Sequence, residues 1–234
     1  SKLTIVSVSL VFFLALSQLV LSYISVVYAA SGDTEGASTT ASVINSSRYG
    51  DVAVDAIGKS FYVGSVSGKT PFNFGNGISI TGTAVFNNAV LVKYNSSGVP
   101  QWAKLMITNT NLSEFYSVAL DDSGNIYGTG RIQGVGTYDF GNGVTAVGAS
   151  AGNNAFVVKF NSSGVAQWAN IATTYITRLT VDPSGNVYIA SQAYANSTYD
   201  FGNGVIIAAN GNSGMDVLVV KYNTSGVAQW AKSN

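Results

Sequence analysis

Cysteine and histidine are both missing from the 234 residues. No disulfide can brace this fold and no thiol can serve as a nucleophile. Histidine-ligated zinc is excluded, and a serine triad would lack its usual base. Charge is also scarce. Acidic and basic side chains make up 9% of the chain and cancel to a net charge of zero, where ordinary soluble domains carry roughly a quarter. A neutral chain has no field to draw it to nucleic acid or to an anionic membrane surface. Gly, Ser, Thr and Asn fill the polar positions instead. Stability must therefore come from packing and β pairing.

What is present first is a long apolar stretch. No charged residue stands between Lys2 and Asp33. Leu3 to Ala30 would run roughly 42 Å as a helix. A bilayer core needs about 20 residues, and the apolar region of a signal peptide has about 7–15. Val27-Tyr28-Ala29 imitates a signal-peptidase site. Small residues recur at Ser7, Ser9, Ala15, Ser17, Ser22 and Ser25, which allows close helix approach. Tyr23 and Tyr28 sit toward the polar end, as interfacial aromatics do. Ser1 is expected to be a processed end. Three fates follow for residues 1–32: the core of a filament, a single-pass anchor, or a signal.

A long apolar N-terminal segment ahead of a β domain resembles the layout of type IV pilins of the archaeal type. The resemblance covers about the first 32 residues. Bacterial pilins usually carry Glu at the fifth mature position, and this chain has Ile5. The resemblance implies a helical homopolymer, membrane-inserted before assembly and then displayed as an extracellular cell-surface filament for adhesion. Its assembly helix would use Leu3, Ile5, Val8, Leu10, Phe12, Phe13, Leu14, Leu16, Leu19, Val20, Leu21, Ile24 and Val27.

Residues 33–47 are small and polar, as in a linker. From residue 48 onward the chain repeats. Val52–Val66 (VAVDAIGKSFYVGSV) recurs at Val118–Ile132 and Leu179–Ala193. Phe72–Ile80 (FNFGNGISI) recurs at Tyr138–Ala146 and Tyr199–Ile207. KYNSSGVPQWAK, from Lys93 to Lys104, recurs twice, so that Trp102, Trp168 and Trp230 stand 66 and 62 residues apart. The copies span about residues 48–110, 111–172 and 173–234.

Each copy reads as β. Val52 and Val54, then Phe61 and Val63, alternate as strand residues do. Asp182-Pro183-Ser184-Gly185 matches type I turn preferences. Gly-Asn-Gly at Gly75–Gly77, Gly141–Gly143 and Gly202–Gly204 supplies positive backbone angles for a second turn. Four to five strands per copy are expected.

These copies resemble the β-propeller repeats of bacterial and archaeal surface proteins, in which V-x-V-D-x-x-G-N-x-Y-V precedes F-V-x-K-x-x-x-x-G-x-x-x-W. The first copy departs, with Lys59-Ser60 where the others have Asn125-Ile126 and Asn186-Val187. Propellers have about four to eight blades, so three copies leave open a three-bladed or prism-like domain, or more blades of fewer strands. The expected fold is mainly β with one long N-terminal helix and a three-repeat antiparallel domain of pseudo-threefold repetition, propeller-like or prism-like.

No catalytic constellation, metal set or cofactor motif stands out. Most acids (among them Asp51, Asp55, Asp121, Asp122, Asp139, Asp182, Asp200 and Asp216) fall in or beside the repeated turns. Asp121-Asp122-Ser123-Gly124-Asn125 offers oxygen ligands but lacks the twelve-residue calcium pattern. Trp102, Trp168 and Trp230 read as one core Trp per repeat, with a sugar-stacking set as the alternative. Asn45, Asn95, Asn111, Asn161, Asn196 and Asn223 head Asn-x-Ser/Thr sequons, so they are candidate glycosylation sites in an exported glycoprotein. The expectation is a non-enzymatic structural subunit of a pilus-like filament, binding copies of itself. The alternative is an anchored or secreted propeller module that recognises a glycan or a surface protein.

Overall fold

The computed structural model describes residues 25–26, 37–38, 47–105, 111–172, 175–194, 196–209 and 215–233. Every regular element among them is a β-strand, and the pairing is antiparallel throughout. Strand β1 (Ser25–Val26) pairs with β2 (Ala37–Ser38). This corrects the helical expectation at the one point of the apolar stretch that is described. Val26 is β-branched, which suits extended backbone better than helix. The expected assembly positions from Leu3 to Val27 lie outside the described residues. Among the described residues no helix is long and apolar enough to cross a membrane.

The repeated region forms three four-stranded sheets. Sheet I consists of β3 (Ser47–Val54), β4 (Ser60–Ser67), β7 (Asn87–Tyr94) and β8 (Pro100–Leu105), with the hairpin β5 (Pro71–Gly75) and β6 (Ile78–Thr81) inserted. Sheet II repeats the plan with β9 (Ser113–Leu120), β10 (Ile126–Gln133), β13 (Asn153–Phe160) and β14 (Ala166–Ala172), and the hairpin β11 (Gly136–Asp139) and β12 (Thr145–Gly148). Sheet III uses β15 (Tyr175–Val181), β16 (Val187–Tyr194), β19 (Met215–Tyr222) and β20 (Ala228–Ser233), and the hairpin β17 (Ser197–Asp200) and β18 (Ile206–Ala209). Each copy thus has six strands, not four to five. The extra pair forms because the Gly-Asn-Gly turn folds its flanks on each other, apart from the main sheet.

Register is the same in all three. Ser60 faces Tyr94, Ile126 faces Phe160, and Val187 faces Tyr222. The first strand of each sheet carries a bulge, where Gly50, Tyr116 and Thr177 are passed over in the pairing. The last strand carries another, skipping Gln101, Gln167 and Gln229. A bulge re-aims the neighbouring side chains. Here it sets each Trp opposite a lysine: Lys93 and Trp102, Lys159 and Trp168, Lys221 and Trp230.

The sheets stack in chain order, with β9 packed against β3 on one side and β15 on the other. Phe61, Val63, Ala89 and Leu91 of sheet I meet Phe115, Val118, Ile126, Phe156 and Phe160 of sheet II. Tyr127, Ala155 and Val157 on the other face of sheet II meet Val187, Ile189, Leu218 and Val220 of sheet III. Each inserted hairpin plugs inward residues into a core: Phe72 and Phe74, Tyr138 and Phe140, Tyr199 and Phe201. The far face of sheet I is covered by its own hairpin, with Val66, Val90, Val92 and Tyr94 beneath it.

Candidate interaction surface

The repeated acids are turn-builders. Asp55 Oδ1 accepts the amides of Ile57 and Lys59. Asp121 Oδ1 accepts those of Ser123 and Asn125, while its Oδ2 accepts from Asn125 Nδ2 at 2.8 Å and from the Tyr127 hydroxyl at 3.0 Å. Asp182 holds Asn186 and Tyr188 in the same way. The departure at Lys59 removes the amide that Asn125 and Asn186 supply to the second carboxylate oxygen. Burial would raise the Asp121 carboxyl, but its bonds from Asn125, Tyr127 and Ser123 outweigh that and lower it. Asp182 is lowered mainly by Asn186. The oxygen atoms that could have ligated calcium at Asp121 are occupied by these donors. Among the described residues no group of three or more acids stands together as a metal site.

Among the described residues Glu114 is the one buried acid, at 2% exposure. It bonds Asn87 Nδ2 from sheet I, Arg131 Nε at 2.9 Å and the Tyr116 hydroxyl at 3.2 Å. Burial pushes its carboxyl up, but these three partners prevail and hold it below the usual carboxylate value. Burial pushes the Tyr116 hydroxyl up to about 12. Through the Asn87 bond the cluster ties sheet I to sheet II.

Between sheets a second device recurs. The Asn-Ser/Thr-Ser-Gly turn of one sheet seats on the Trp–Lys pair of the preceding sheet. Lys93 Nζ reaches the carbonyl of Ser162, and Lys104 Nζ those of Ser163 and Gly164 at 2.9 and 2.8 Å. Trp168 Nε1 and Asn170 Nδ2 reach the carbonyls of Thr224 and Gly226 at 3.0 and 2.7 Å. A Cβ at Gly164 would fall 2.9 Å from the Trp102 ring, and one at Gly226 2.6 Å from that of Trp168. The sequence suggested one core Trp per repeat; Trp102 and Trp168 pack against the core only at its margin, and Trp230 does not. Trp102 and Trp168 are half-buried at these joints, and Trp230 is 37% exposed.

The hairpins form a third feature. Their inward aromatics are buried while the outward positions face solvent: Asn73, Ser79 and Thr81; Thr137, Asp139, Thr145 and Val147; Thr198, Asp200, Ile206 and Ala208. The turn residues Asn76, Asn142 and Asn203 have φ of 50°, 56° and 53°. Their amides tie each hairpin to the last strand through the carbonyls of Pro100, Ala166 and Ala228.

Of the six sequon asparagines, Asn95, Asn161 and Asn223 use their Oδ1 to close the repeated turn. Asn111 and Asn196 are exposed, Asn196 with φ of 58° at the entry to β17. Asn45 lies outside the described residues. Sequence reasoning missed Glu114 and the Trp–turn joints. Only the constant spacing of Lys93, Lys159 and Lys221 from their tryptophans hinted at the latter.

No family model matches the chain, and no curated protein matches it. With no family match, no helix among the described residues and strand at Ser25–Val26, the resemblance to type IV pilins is withdrawn.

Proposed function

We propose that this chain is a non-catalytic, propeller-type binding module displayed outside the cell, where it recognises a glycan or another surface protein through the outward faces of its three inserted hairpins. The observation that carries the reading is the contrast between the hairpins' two faces. Inward, the three copies repeat one solution, an aromatic pair in a core. Outward, they share a frame but not residues: Ser79 and Thr81 become Thr145 and Val147, then Ile206 and Ala208. The fold does not dictate those exposed side chains, and variable residues on a rigid frame are how binding surfaces are commonly built. Their chemistry of hydroxyls, amides and small apolar groups suits uncharged partners. The commitment of the turn acids and Glu114 to structural bonds supports binding over catalysis. The exposed sequon at Asn196 supports display outside the cell.

The test is binding of the full chain to arrayed glycans and to a panel of surface proteins, repeated with Thr145→Arg and Thr198→Arg. A saturable ligand whose affinity falls roughly tenfold in either variant, the scale of a lost hot-spot contact, is expected. Binding to neither class, or binding unchanged in both variants, overturns the reading.

A further inference from the structure

Each of the two joints in the stack has a socket and a plug. The socket is a Trp, an aromatic ring and a lysine on one sheet, and the plug is the turn of the next. The socket of sheet I is Trp102, Phe61 and Lys93, with ring centroids 6.4 Å apart and the ammonium 5.1 Å from the Phe61 ring. That of sheet II is Trp168, Tyr127 and Lys159, at 6.2 and 5.1 Å. Sheet III carries the same set, Trp230, Tyr188 and Lys221, at 6.3 and 5.2 Å. This third socket is assembled to the same dimensions, yet no fourth sheet follows it among the described residues. Its exposure agrees. Ala89 and Leu91, then Ala155 and Val157, are buried to 2% or less, whereas the matching Val217 is 61% exposed.

The opposite end shows the complementary half. The turn Asn95–Gly98 has the same internal bonds as its two seated counterparts: Ser97 N to Asn95 Oδ1 at 3.0 Å, against 3.0 Å for Ser163 and for Ser225. Gly164 is buried and Gly226 half-buried, whereas the matching Gly98 is exposed. At the outer face of sheet I, Tyr49 is 43% exposed.

We propose that a second copy of this chain closes the stack. The Asn95–Gly98 turn of each copy seats on Trp230, Tyr188, Lys221 and Lys232 of the other, making a two-chain assembly of six sheets. Charge agrees with this pairing. In the first joint Asp51 of β3 accepts from the Ser117 hydroxyl of β9 at 2.8 Å, and in the second the Leu179 amide of β15 reaches Ser117 Oγ at 3.5 Å. The matching position in β15 is the exposed Arg178. Carrying the register on therefore sets Arg178 of one copy beside Asp51 of the other, a pair of opposite charges. The described residues of one copy supply three such sheets and those of two copies six, within the about four to eight that closed rings hold.

The experiment exploits the chain's lack of cysteine. Full-length Lys232→Cys and Ser97→Cys proteins, carrying tags of different size, are mixed in mild detergent and treated with a short bismaleimide. The expected result is a cross-linked heterodimer. It should be absent when Lys69→Cys, at the opposite end of β4, replaces Ser97→Cys. Adding Trp230→Ala to the Lys232→Cys chain should lower the yield roughly tenfold, as for an interface anchor, with the far-ultraviolet β signal unchanged. Sedimentation of the untreated chain should give two copies. A monomer with no heterodimer band overturns the proposal. So does an intramolecular link in the double variant, because then one chain closes on itself.

Discussion

Trp168 lies flat over Gly226, so close that a methyl group there would fall 2.6 Å from its ring. The indole nitrogen meanwhile bonds the carbonyl of Thr224 in the same turn. One turn is thus read twice, by shape and by a hydrogen bond, and this fixes how sheet III sits on sheet II.

Gly226→Ala meets two obstacles. Its φ of 78° disfavours a side chain, and the Trp168 ring occupies the space. A loss of about 3 kcal/mol in unfolding free energy is expected. Gly204→Ala, with φ of 72° and nothing within 4 Å, meets only the first obstacle. It should lose about 1 kcal/mol. Denaturant melts of the two variants measure the difference, which belongs to the joint; equal losses would remove the steric role of Trp168.

Arg131→Ala leaves the Glu114 carboxylate buried with only Asn87 and Tyr116 as partners. Arg131 is partly exposed, so a cost of about 2 kcal/mol at pH 7 is expected, between the surface and buried limits. The pH dependence has a definite sign. The folded carboxyl is held below its unfolded value. Its stabilisation is therefore complete above an ordinary glutamate value of about 4.3 and is lost as the pH falls through the folded value. The gap between wild type and Arg131→Ala should narrow below that pH. Chemical denaturation at pH 7, 5 and 3 checks this, and a constant gap would show that Glu114 does not titrate against Arg131.

Asn88 and Asn154 hold equivalent loops. Asn88 Oδ1 accepts the amides of Thr83 and Ala84, and its Nδ2 donates to carbonyls that include Phe86 at 2.9 Å. Asp216 occupies the same place in sheet III and cannot donate. Its Oδ2 is buried with no hydrogen-bond partner. Asp216→Asn is expected to raise the unfolding free energy by about 1 kcal/mol, and Asn88→Asp to lower it by about 2 kcal/mol. Paired thermal melts should move in opposite directions.

Trp102→Phe keeps an aromatic surface over Gly164 and both lysine bonds, whereas Trp168→Phe also deletes the bond to Thr224. The second should therefore cost more, by about 1 kcal/mol. Equal melting shifts for the two would assign the joint to packing alone.

The sequence reveals the repeats and their turns because both are local. An Asp, Asn or Gly at a fixed offset states the backbone it needs, and the left-handed φ values at Asn76, Asn142 and Asn203 fall where Gly-Asn-Gly stands. Contacts between sheets are less legible. Glu114 finds Asn87 across 27 positions and Trp168 finds Thr224 across 56; no local pattern announces either bond. Trp also misleads. Its size suggests the core, but the bulge at Gln167 turns it to the sheet's edge. The outward hairpin residues are legible only after the fold shows which positions face solvent.

Every sheet here carries a socket at Trp–Lys and a plug at the Asn-Ser/Thr-Ser-Gly turn. Copying or deleting a whole unit therefore keeps this turn-on-socket contact at the new joint, whereas ties such as Asn87–Glu114 belong to one joint alone. A gene built this way can change its length by recombination between copies with the main contact already in place, while the hairpin faces are free to diverge one unit at a time.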